Sequence, residues 1–179
     1  MIMTGFLATV LSQSSTPCAD LQASLSDLAG AWTGALEYVD GRHGGRVSIP
    51  HTREVYVPPN RAYLAARLEF TDPGRIVYRA ELMAFACEVV TSTGASEYGA
   101  SAQNYRVSRF ELAPLGWRAF LDEVADSSAD QPTGRLTISY FADTLSISRF
   151  RLDEESGEIA FSNGVNLRRS DDETGELPD

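Results

Sequence analysis

Residues 28–38 read Leu28-Ala29-Gly30-Ala31-Trp32-Thr33-Gly34-Ala35-Leu36-Glu37-Tyr38. Trp32, Gly34, Leu36 and Tyr38 occupy alternate positions, with Thr33, Ala35 and Glu37 between them. A period of two marks a strand with one face buried and the other in water. Upstream the spacing is different. Leu21, Leu25 and Leu28 lie at i, i+4 and i+7, one apolar stripe of a short helix over Asp20–Leu28, with Asp20 as N-cap and Gly30 as its stop. So short a helix is stable only when docked on something larger. The switch of period at Gly30 decides the fold class, because almost nothing beyond it has helical spacing.

Downstream the period of two recurs. Val47, Ile49, Val55 and Val57 follow a Gly-rich loop over 40–45, and Pro50 among them predicts a bulge or an edge position. Leu64, Ala66, Leu68 and Phe70 form the next run, and Asp72-Pro73-Gly74 is a turn. In the run after it, Ile76, Tyr78, Ala80 and Leu82 alternate with Val77, Arg79 and Glu81. Residues 83–90 are apolar, and the Ser/Gly/Ala-rich stretch 92–102 reads as a loop. Further strands are expected over 103–112 and 116–125, at Leu136/Ile138/Tyr140, at Leu145/Ile147, at 159–161 and at 165–167, with polar loops at 126–132 and 154–157. Regularly spaced short strands imply an all-β, antiparallel barrel or sandwich. The reading adopted is a barrel of eight to ten strands with a short N-terminal helix. It spans 18–169, between a leader at 1–17 and an acidic tail at 170–179.

Charge removes several function classes. The 179 residues carry 15 bases against 25 acids, a net charge of −10, and every base is Arg. Without Lys there is neither Schiff-base chemistry nor a Walker-type phosphate loop. The acidity argues against a nucleic-acid partner, which needs a basic footprint. Half of the net charge sits in 170–179, read as a solvated terminus. The apolar run of residues 1–11, followed by small polar residues, resembles a secretory signal, so export to a periplasm or to the exterior is expected. A leader of a cytoplasmic protein is the alternative. The run is too short to be a transmembrane helix. Cys18 and Cys87 are the two thiols: one disulfide in an oxidising compartment, or two separate thiols otherwise.

Catalytic motifs are missing. There is no Gly-x-Ser-x-Gly, Gly-x-Gly-x-x-Gly or His-Glu-x-x-His, and 99–103 breaks the first at its last position. His43 and His51, with Asp40, are too few for a structural metal site and read as ordinary surface or loop histidines. No catalytic residue and no metal or cofactor is assigned.

Gly30-Ala31-Trp32, placed after a helix at the start of an all-β run, resembles the lipocalin/calycin signature. The resemblance implies a barrel whose Trp closes one end and packs against an Arg of the last strand. Arg168 or Arg169 stands at the right place in sequence, and the cation–π contact is worth roughly 0.5–2 kcal/mol. The longer Gly-x-Trp-x-Gly string also resembles the start of nitrobindin-like ten-stranded barrels and of exported bacterial barrels of calycin type. Nitrobindin-like proteins hold haem through a His near the C-terminal strands; 163–169 contains none, so that cofactor does not carry over.

With Trp32 inward, Leu36 and Tyr38 line the interior, and Leu68, Phe70, Tyr78, Ile138 and Tyr140 join them from other strands. The Leu145/Ile147 face leads to Arg149, which needs Glu111, Glu123 or an anionic ligand group if it faces inward. The expected function is a non-enzymatic module enclosing a small, mostly apolar ligand. A barrel acting on a protein partner through its outer surface is the alternative, and a calycin-type isomerase or lyase a third.

Overall fold

A computed structural model of the chain describes residues 16–40, 44–72, 74–86, 89–125, 132–153 and 156–170. The leader, His43, Cys87 and the tail from 171 lie outside the described residues, and so does the pairing of Cys87 with Cys18. Cys18 itself is buried.

A helix, α1 (Pro17–Ser24), runs into a 3-10 turn over Leu25–Leu28. Ten strands follow: β1 (Gly30–Val39), β2 (Arg46–Tyr56), β3 (Tyr63–Asp72), β4 (Arg75–Phe85), β5 (Val90–Ser96), β6 (Gly99–Ala113), β7 (Gly116–Val124), β8 (Gly134–Phe141), β9 (Thr144–Leu152) and β10 (Ile159–Arg169). Each pairs antiparallel with its sequence neighbours, and β1 pairs with β10 to close the barrel. The all-β expectation is correct. None of the described helices is long and apolar enough to cross a membrane.

Two details differ from the sequence reading, and at Pro50 the edge alternative holds. The helix starts earlier, because Thr16 is its N-cap, with Oγ1 accepting from the Ala19 N–H at 3.3 Å, and Pro17 occupies the first turn. The stretch 92–102 is strand, contributing most of β5 and the start of β6. Its small residues have weak strand propensity, but ladders to β4 and β6 satisfy its backbone on both sides. Pro50 makes no bulge. It is paired with Ala35 of β1 just before the β3 ladder begins at His51, so on that side β2 is locally an edge.

The helical segment plugs one end of the barrel. Leu21, Leu25 and Leu28 are buried against Trp32, Trp117, Leu145 and Leu167. Trp32 Nε1 donates to the Leu28 carbonyl at 2.9 Å, and Trp117 Nε1 donates to Asp27 at 2.9 Å. Arg169 completes the closure. Its guanidinium lies 4.4 Å from the Trp32 ring centre and donates to the carbonyls of Ala29 at 2.7 Å and Asp27 at 2.8 Å. Gly30 makes room for it: its φ is +118°, and a side-chain carbon there would stand 2.9 Å from Arg169 Nη1. The register settles which arginine does this. Arg169 is opposite Trp32 and shares its inner face, whereas Arg168 is opposite Thr33 and points outward. Arg168 is thereby removed as a closure residue.

Candidate functional site

Beyond the plugged end the interior is not filled. A cavity of about 330 Å³ runs between β1, β2, β3, β4, β5, β8, β9 and β10. Six of the eight residues expected to line it do so: Leu36, Tyr38, Leu68, Phe70, Ile138 and Arg149. Two do not. Tyr140 belongs to the plugged end, where its ring sits 6.2 Å from that of Trp32 and 6.3 Å from that of Trp117. Tyr78 stands outside the barrel, 51 % exposed. The first half of β4 is apolar on its outer face, with Ile76 and Tyr78 exposed there. Its inner face is set by Met83 and Phe85, and the same alternation turns Arg79 and Glu81 inward.

The cavity has two chemical ends. Its apolar part is built by Leu36, Leu68, Phe70, Leu136, Ile138 and Ile147, and its polar part carries Arg53, Arg79, Glu81, Arg149 and Arg151. Arg53 is almost fully buried, and its Nη2 lies 3.1 Å from Glu81 Oε2. Arg79 Nε lies 3.3 Å from the other oxygen of the same carboxylate. Gly94 lets this arrangement form, since a Cβ there would fall 2.2 Å from an Arg79 nitrogen. Burial works against the charge of Arg53, and Glu81 opposes that effect. Glu111, one proposed partner of Arg149, is paired with Arg109 at 3.1 Å instead. Glu123 and Arg149 both act electrostatically on Tyr105, whose hydroxyl is buried and without a hydrogen-bond partner among the described residues.

His51 is neither a surface nor a loop residue. It is 1 % exposed on β2, stacked on Phe70 with ring centres 4.6 Å apart, and its Nδ1 is 3.0 Å from the Glu69 carbonyl. That bond makes Nδ1 the donor and leaves Nε2 the bare nitrogen. Burial first, then the Arg53 charge, lowers its pKa from 6.5 to about 4. The fold therefore favours the neutral ring. Its contribution is fully present above about pH 6.5 and is lost as pH falls toward 4, a change of up to about 3 kcal/mol. His51→Phe is expected to flatten this part of the profile. Urea midpoints of both proteins at pH 4.5 and 7.5 check it, and equal pH sensitivity would refute the assignment.

Burial raises the pKa of Tyr105 as it lowers that of His51, so both are held neutral by the same cause. They do not form a matched acid and base, and His51 does not line the cavity.

The charged cavity residues that sequence reading passed over are Arg53, Arg79, Glu81 and Arg151. A signal for them exists. Arg53 shares the parity of Val47, Ile49 and Val55, and Arg79 and Glu81 share that of Met83 and Phe85. Charges on the apolar parity of three strands, with Arg149 and Arg151 on the third, mark a polar interior.

Fold and cavity together define a class: a closed ten-stranded antiparallel barrel, plugged at one end by a helix and consistent with a calycin-like barrel. No family model and no curated protein matches the chain. Among solved structures, the crystal structure of Rv2717c from M. tuberculosis superimposes with a TM-score of 0.59 at 14 % identity. The match covers 88 % of this chain and 99 % of that one, and the likeness is one of fold.

Proposed function

We propose that the barrel is a non-enzymatic binding module that encloses a small, mostly apolar molecule. The observation that carries this reading is the interior cavity of about 330 Å³, within the size range of small-molecule sites, with aliphatic and aromatic side chains walling one part of it and charged groups the other. Affinity comes from burying apolar ligand surface, at about 25 cal/mol per Å², inside a preformed wall. The rigid ladder on both sides of every strand keeps that wall open without a ligand to hold it.

The neutral probe N-phenyl-1-naphthylamine tests this. Its emission is expected to rise on mixing with the protein, and Leu36→Trp, which fills the cavity from β1, is expected to weaken binding at least tenfold. No rise with the wild type, or equal binding by the variant, would overturn the cavity reading.

The outer wall supports the second reading, a surface for a protein partner. A shallow depression of about 1080 Å³ crosses β2 to β6, floored by Ala65, Ala80, Ala95, Ala100 and Ala102. Tyr56 and Leu82 are exposed beside it, and apolar exposure of this kind marks interaction surfaces. Failure of the probe to enter the cavity shifts weight to this face.

A further inference from the structure

We propose that the polar end of the cavity receives a doubly charged anionic head, of the phosphate-monoester class, on a short apolar ligand. This rests on the cavity being the binding site and adds the chemistry of its occupant.

The argument is one of charge and of unmet hydrogen bonds. Four guanidinium groups, of Arg53, Arg79, Arg149 and Arg151, line the cavity. Of the carboxylates on inward-facing positions nearby, Glu81 lines the cavity with them, whereas Glu123 lies against Gly134 and is not part of the lining. Arg151 is exposed, so the buried and half-buried lining carries three guanidinium groups against the one carboxylate of Glu81, a surplus of two positive charges in a protein whose net charge is −10. Glu81 is shared by Arg53 and Arg79, while Arg149 and Arg151 make no ion pair among the described residues. Uncompensated charge in a partly desolvated interior is costly, and a structure keeps it only where something neutralises it.

The donors point the same way. Of those lining the cavity, Arg53 Nε is buried and has no hydrogen-bond partner among the described residues. Buried donors without acceptors are rare in folded proteins. A phosphate monoester offers three acceptor oxygens, carries close to two negative charges near neutral pH, and suits the planar fork of arginine. A carboxylate matches only half of the surplus. The apolar wall of Leu68, Leu136 and Ile138 continues from this end and suits a short alkyl or ring body.

The experiment is titration calorimetry of the full chain at pH 8 with octyl phosphate, octanoate and octanol. Octyl phosphate is expected to bind at least tenfold more tightly than octanoate, and octanoate more tightly than octanol. Arg149→Gln is expected to weaken octyl phosphate at least tenfold and to leave octanol unchanged. Arg151→Gln, at an exposed position at the edge of the lining, is expected to keep the fold and to cost about threefold, so the test survives if the first variant folds poorly. Equal affinity for octyl phosphate and octanol overturns the charged-head assignment while leaving the cavity reading intact. So does tight octyl phosphate binding that neither arginine variant weakens. Failure of all three compounds, with N-phenyl-1-naphthylamine also excluded, overturns both.

Discussion

Trp32→Ala is expected to destabilise the barrel by about 3–5 kcal/mol, the cost of truncating a large buried aromatic. In a protein of this size that lowers Tm by roughly 6–20 °C. The loss has several sources. The indole is 1 % exposed and meets Tyr140 edge to face. Its N–H satisfies the Leu28 carbonyl, which has no helical partner at the end of the plug. It also forms the surface on which Arg169 lies, so truncation weakens a group that ties β10 to the plug through two carbonyls. Arg169→Ala should lose part of the same energy, and the two changes together should cost less than their sum, because they act on one contact. Arg168→Ala, on the outer face, should change stability by less than about 0.5 kcal/mol. Urea unfolding at 25 °C measures all four proteins. A Trp32→Ala loss below 1 kcal/mol, or an Arg168→Ala loss equal to that of Arg169→Ala, contradicts the closure described.

Glu81→Ala is the second large effect, expected at about 3 kcal/mol or more. One carboxylate serves two guanidinium groups, and Arg53 is nearly inaccessible to water. Removing Glu81 leaves a buried cation with only other cations near it, since Arg79 and Arg149 both act on Arg53. The pair as a whole is not expected to be worth this much. Replacing both Arg53 and Glu81 with Met should recover most of the loss, because desolvating two ions consumes most of what their attraction returns. Chemical unfolding of the two single variants and the double variant forms the cycle. A double variant as unstable as Glu81→Ala would mean that the site depends on shape rather than on charge. If the cavity receives an anion, octyl phosphate should also restore more stability to Glu81→Ala than to the wild type, since it supplies the missing negative charge.

The sequence was legible where period and spacing carry the information. Trp32, Leu36, Leu68, Phe70 and Ile138 all face inward, and in each strand holding them the bulk of the apolar side chains lies on their parity. Tyr78 was misread because β4 is apolar on both parities, and the longer tail of its outer set, Ile76 to Leu82, outweighs Val77, Met83 and Phe85. The β5 strand was missed for the opposite reason: its inner residues Val90, Ser92 and Gly94 are small, and Gly94 is small because Arg79 occupies the space above it. That constraint comes from a neighbouring strand and leaves no mark in local propensity. His51 and Arg53 were passed over because polar side chains on a buried parity look like interruptions until their partners, Glu69, Phe70 and Glu81, are seen on adjacent strands.

By itself the chain determines most of its strands, its plugging helix and the aromatic at the closing seam, because these follow from backbone periodicity and from the bulk of single residues. Closure decides the rest. Only when β1 pairs with β10 does one of two adjacent arginines meet the tryptophan, and only when ten inner faces are brought together do charges from β2, β4 and β9 become one polar pocket. Alternation sets which residues share a face within a strand. Which face turns inward, and what it meets there, is a property of the whole barrel.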